Sequence, residues 1–139
     1  MILLDTNVLS ALMQTPADET VAAWLDGLDR SAIWLTAVTI YEVSLGIRIL
    51  ADGQKKQRLG DAFGIVVSET FAGRIIELDT SAALQSAAIH AHRRKLGRPI
   101  DIRDAMIAGI AKSREAELAT RNVRDFEETG VTLIDPWTP

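Results

Sequence analysis

Short, wholly apolar runs alternate along this chain with longer stretches of helical spacing. Ile2–Leu4 is apolar at three consecutive positions, the pattern of a strand covered on both faces, since a half-exposed strand alternates. Asp5, Thr6 and Asn7 supply capping side chains, and Val8–Met13 fits a short helix that Pro16 breaks. Between Ala17 and Leu28 the residues Val21, Trp24, Leu25 and Leu28 keep helical intervals. Ile33–Thr36 reads as a second strand, Val38–Leu50 as a helix and Gly53–Phe63 as another. Ile75–Leu78 is a third strand. Asp79 or Thr80 then opens an alanine-rich helix, and Gly97 suits its left-handed C-terminal cap. Ile102–Ser113 is apolar on nearly every side, which predicts an interior helix. Leu118–Thr120 and Val131–Ile134 complete the strands, with a short helix over Val123–Glu128 between them. Strands alternating with helices predict an α/β layer fold on a short, mostly parallel central sheet flanked by helices.

Composition narrows this picture. The 139 residues are 47% apolar and show no repeat or linker, so one domain over 1–139 is expected. The chain has no cysteine, which excludes disulfides and thiolate metal sites and fits a reducing compartment. Asp5 interrupts the first apolar run before a signal-peptide core forms, and no run approaches the roughly 18 residues of a membrane span. A cytoplasmic protein with no membrane partner is expected. A net charge of −4 argues against coating nucleic acid by bulk charge, yet it is compatible with a nuclease whose carboxylates are neutralised by metal ions. Basic residues bunch at Lys55, Lys56 and Arg58, and again at His92, Arg93, Arg94, Lys95 and Arg98. Such runs are commonly solvated, dipole-complementing helix faces, and a phosphate track needs independent support.

The chemistry lies in carboxylates at positions where packing favours apolar residues. Asp5 directly follows the first strand, at the edge where open α/β sheets bind ligands, although capping the next helix is a sufficient local role. Glu42 shares a helical stripe with Val38, Leu45 and Ile49, where burial demands a partner; an ion pair with Arg48 is the local alternative to a metal. Asp101 and Asp104 have the spacing of a capping box. Capping accounts for Asp101, whereas Asp104 leads into the most buried-looking helix. Thr120, Asn122 and Asp125 follow a strand and start a helix, where capping by Asn122 is again the simplest role. All these acids converge on one sheet edge. Carboxylates without histidine or cysteine suit Mg²⁺ or Mn²⁺, and such ions assist phosphoryl displacement, so a metal-assisted phosphodiesterase or phosphatase is expected. His90 and His92 point to different sides of their helix and so do not read as a metal pair, while Trp24, Trp34 and Tyr41 read first as core and Trp137 as a pin for the C-terminus.

Four segments in order carry a family resemblance: MILLDTNVLS at the start, TAVTIYEVSLGI around Glu42, GRPIDIRDAMIAGIA around Asp104, and ATRNVRDF with the terminal IDPW. Together they resemble the PIN-domain ribonucleases, in particular the VapC/FitB-like toxins of toxin–antitoxin pairs, over essentially the whole chain. The resemblance implies a PIN-like three-layer fold and an Mg²⁺- or Mn²⁺-dependent endoribonuclease. Asp5, Glu42 and Asp104 match the family's acidic triad, with Asp5 and Asp104 as direct metal ligands and Glu42 holding water or completing the shell. The family often has an aspartate after Thr-Arg, where this chain has Asn122; Asp125, one turn on, is the charged alternative for that fourth catalytic position. Asn7 and Thr120 would orient ligands or water from behind. The resemblance further implies an RNA substrate, a homodimer, and a cognate antitoxin through which operator DNA is bound. The departure at Asn122 keeps open a second reading, a non-catalytic PIN-like module that binds RNA or a protein.

Overall fold

The computed structural model describes residues 1–139. Its elements run β1 (Ile2–Leu4), α1 (Thr6–Met13), α2 (Glu19–Asp26), β2 (Ile33–Thr36), α3 (Ala37–Arg48), α4 (Gln54–Ile65), β3 (Ile75–Ile76), α5 (Thr80–Lys95), α6 (Ile102–Ser113), β4 (Glu117–Ala119) and β5 (Leu133–Ile134). The strands form one sheet in the order β3-β2-β1-β4-β5, and every pairing is parallel. The chain winds outward from β1 through β2 to β3, then returns to the other side of β1 for β4 and β5. That reversal leaves a crevice at the carboxyl ends of β1 and β4, the position where open α/β sheets present ligand sites.

Strand alternation divides the interior into two cores. Leu3 and Leu118 point into one, with Ala105, Ile107 and Ile110 of α6 and Ala82 and Ile89 of α5. Leu4, Ile33, Leu35 and Ala119 point into the other, with Val8 and Leu9 of α1, Val21 of α2 and Val43 of α3. The sheet is thus covered on both faces, which is why its strands read as unbroken apolar runs. Close packing of α5 on α6 depends on Gly109: a Cβ built there would stand 1.9 Å from Ser86 Oγ and 2.7 Å from Ala82 O.

Several boundaries differ from the sequence reading. α1 starts at Thr6, because Asp5 itself is the cap, and α2 is trimmed to the residues between its cap Asp18 and Gly27. β3 and β5 are only two residues long. α4 reaches Ile65 and runs into a wide π turn over Val66–Thr70, which no periodicity announces. The expected helix over Val123–Glu128 is a 3₁₀ turn over Val123–Phe126, with Glu128 at a φ of 61° that no helix accommodates. Arg93 is a further correction: it is buried, and its guanidinium donates to the carbonyls of Arg98, Asp125 and Glu127, anchoring that turn to α5. It is therefore unavailable as part of a phosphate track. No helix is long and apolar enough to cross a membrane.

Candidate active site

Asp5 sits immediately after β1, 4% exposed, with its backbone N–H donating to Ala119 O of β4 at 2.9 Å. Its Oδ1 accepts the Thr6 N–H at 2.8 Å, the capping role expected locally. Capping leaves Oδ2 aimed elsewhere. It accepts Thr120 Oγ1 at 2.7 Å from the end of β4 and Asn7 Nδ2 at 3.2 Å. The Thr120 hydroxyl in turn accepts the Asn122 N–H at 3.0 Å, and Asn7 Oδ1 accepts the Arg121 N–H at 3.1 Å. Asn7 and Thr120 therefore fix the Asp5 carboxylate and tie the β1 and β4 loops together. Burial raises the Asp5 pKa despite these hydrogen bonds.

Glu42 comes from α3, which starts directly at the end of β2 with Thr36 as its cap. Its Oε1 accepts Thr6 Oγ1 at 3.2 Å, which brings it beside Asp5. Here the helical stripe reads differently in three dimensions. Val38 is buried, but Leu45 is 38% and Ile49 75% exposed, and the buried flank of α3 runs instead through Thr39 and Val43. Glu42 thus borders the core rather than entering it, its side chain 18% exposed. Tyr41, read first as core, is exposed as well. The local partner Arg48 turns to Ser44 Oγ, and Glu42 faces Arg103 Nη1 at 3.9 Å instead. Burial raises the Glu42 pKa, with Asp5 adding repulsion.

Asp101 caps α6 through the Arg103 N–H at 2.8 Å and holds Arg103 Nε at 3.3 Å. Burial works against its charge, but these contacts outweigh it and its pKa is lowered. Asp104, at the third helical position, does not close the capping box; its carboxyl accepts no hydrogen bond. Burial first, and then repulsion by Asp5, Asp101, Glu42 and Asp125, pushes its pKa up to about 7. Asp125 acts on the site only through this long-range field. Asn122 is the cap residue of the 3₁₀ turn, yet its side chain makes no capping hydrogen bond and is exposed. Trp137 does pin the C-terminus, donating Nε1–H to Asp18 and lying under the Arg121 guanidinium, 4.7 Å from the ring centroid.

Asp5, Glu42 and Asp104 are thus close enough to perturb one another at the β1/β4 crevice. No three acidic or histidine side chains are preassembled around a common metal position. The donor set nevertheless fits a hard dication: it is all oxygen, and burial together with repulsion by the neighbouring acids raises Asp104 to about 7, so a bound cation would favour its ionised form. Arg103 is the residue that the sequence reading missed. Its only signal was a cation set between two acids, Asp101 and Asp104, in DIRD.

A family model described as PIN domain matches residues 2–131. The chain is 36% identical over 137 residues to Toxin FitB of Neisseria gonorrhoeae, covering 99% of each. It is 32% identical over 139 residues to VapC ribonuclease Y4jK of Sinorhizobium fredii, covering 100% of this chain and 99% of that protein. The structure of FitAB bound to an IR36 DNA fragment matches with a TM-score of 0.90 at 36% identity, covering 99% of this chain and 96% of the other.

Proposed function

The chain belongs to the PIN-domain family, and on that premise we propose that it is the endoribonuclease toxin of a toxin–antitoxin pair, hydrolysing RNA with Mg²⁺ or Mn²⁺. One observation carries the reading: at the sheet's switch point a fixed carboxylate, Asp5, lies beside Glu42 and beside Asp104, whose carboxyl has no hydrogen-bond donor and is pushed up to about 7. The relatives named toxin and ribonuclease support it.

Asp5 and Asp104 would be the direct metal ligands, and Glu42 would complete the shell or hold a water. Bound there, the ion would supply an activated water and offset charge on the phosphoryl oxygens. Thr120 and Asn7 hold the Asp5 carboxylate in one orientation. Asp125 adds negative potential and, with Asn122, is the candidate for the fourth catalytic position. Arg103 balances Glu42 and Asp101 while no cation is bound. The structure of FitAB bound to a DNA fragment supports a cognate antitoxin as partner, with operator DNA reached through it; a homodimeric toxin is part of the same proposal. The toxin acts in the cytoplasm, where its RNA substrate is.

The test is cleavage of structured RNA by antitoxin-free protein and by Asp5→Ala, in Mg²⁺, Mn²⁺ and EDTA. Metal-dependent cutting by the unaltered protein alone is expected. Equal cutting by both proteins removes the evidence for this site. If neither protein cuts RNA or binds Mn²⁺, the non-catalytic module is the better reading.

A further inference from the structure

An open cleft of about 720 Å³ runs between α1, α3 and α4, and Thr6 and Glu42 form part of its wall. It is therefore continuous with the acidic crevice. Lys55 and Arg58 also line it. They lie three residues apart on α4 and so share one face. Both side chains are exposed and engaged with no partner. Their neighbour Lys56 is committed, donating to the carbonyls of Arg48 and Leu50 and pairing with Asp52. Of the other cations, Arg93 is committed to three carbonyls, Arg98 to Glu127 and Arg103 to Asp101 and Glu42, and Arg121 lies over Trp137, while Arg124 is exposed without a partner on the loop after β4, outside this cleft.

From this arrangement we infer that the cleft is the RNA path into the site, with Lys55 and Arg58 gripping backbone phosphates on one side of the scissile bond. The inference rests on the nuclease reading and adds the substrate's course. A chain of net charge −4 that presents a carboxylate cluster repels a polyanion, so uncommitted cations beside the cluster are needed to hold one. The cleft's apolar lining, Met13 and Ile47 among it, suits the faces of unpaired bases. Unpaired bases are found in loops and ends, so a single-stranded segment is the form of RNA that such a lining takes. Arg94 and Lys95 at the end of α5 are the rival pair, exposed and uncommitted but outside this cleft.

Fluorescence anisotropy with labelled unfractionated tRNA, in EDTA so that nothing is cut, tests the path. Lys55→Ala/Arg58→Ala is expected to weaken binding at least ~5-fold and to flatten the slope of log K against log salt by about 1.4, the value for two single-strand phosphate contacts. Arg94→Ala/Lys95→Ala is expected to change neither. Unchanged affinity and slope in the first variant, the larger loss in the second, or no tRNA binding by the unaltered protein overturns the path. So does a first variant that binds tRNA normally but loses its protein partner. If tRNA is held through Lys55 and Arg58 and the protein neither cuts it nor binds Mn²⁺, the nuclease reading fails and the cleft stands only as an RNA-binding groove. If Asp5-dependent cutting survives with binding intact in the first variant, the path alone fails.

Discussion

Replacing Asp104 with asparagine removes the carboxyl that the site repels most while keeping its shape. Its rise from 3.8 to about 7 is equivalent to about 4 kcal/mol. The carboxyl is only about half buried, so solvent screening reduces this to roughly 2 kcal/mol. The sign follows from proton uptake. Between pH 3.8 and about 7 the native chain holds this proton and the unfolded chain has lost it, so stability falls as pH rises through that window and levels off above it. Asparagine has no proton to lose. Asp104→Asn is therefore expected to be more stable than the unaltered protein by under about 1 kcal/mol at pH 5 and by about 2 kcal/mol at pH 8, or about 8 °C for a chain of this size. Thermal unfolding in EDTA across pH 5–8 measures the gap, and comparing the two proteins cancels most other titrations. Saturating Mn²⁺ should reverse the order, since a ligand at 100 times its Kd contributes about 2.7 kcal/mol to the protein that binds it. A gap independent of pH, or a less stable variant at pH 8 in EDTA, refutes the placement of Asp104 in a repulsive pocket.

Three further outcomes follow from particular contacts. Thr120→Val keeps the buried shape but removes the donor to Asp5 and the acceptor for the Asn122 N–H; a loss of about 2 kcal/mol in urea unfolding is expected, with weaker Mn²⁺ binding by calorimetry. Gly109→Ala drives a methyl group into Ser86 and the α5 backbone, so a loss of at least about 2 kcal/mol is expected, and the double variant Gly109→Ala/Ser86→Gly should recover part of it because the nearest clash is a side-chain oxygen. Arg93→Met strands three carbonyls that the guanidinium satisfies; hydrogen exchange over residues 123–127 is expected to accelerate, together with a loss of about 2–4 kcal/mol in unfolding free energy.

Much of the fold was legible because its determinants are local. Apolar runs bounded by caps located all five strands and six helices to within a few residues, and unbroken rather than alternating runs implied a sheet covered on both faces. The α3 stripe shows where such reasoning stops. A helical interval states that Val38, Glu42, Leu45 and Ile49 share a face, but only the packing of α1, α4 and α6 around α3 decides which part of that face is covered.

The acids at strand ends, their capping chemistry and the family segments around them belong to the sequence alone, because each depends on residues within about one turn of its neighbours. The tertiary structure decided the rest. Thr6 reaches Glu42 across 36 residues, and Thr120 reaches Asp5 across 115. Arg103 rather than Arg48 faces Glu42, and Lys55 and Arg58 stay free while Lys56 and Arg93 are consumed by backbone carbonyls. Spacing along a chain fixes which side of its own helix a residue occupies. Which charges meet across the crevice depends on the strand order that folds β1 against β4, and no local interval encodes that order.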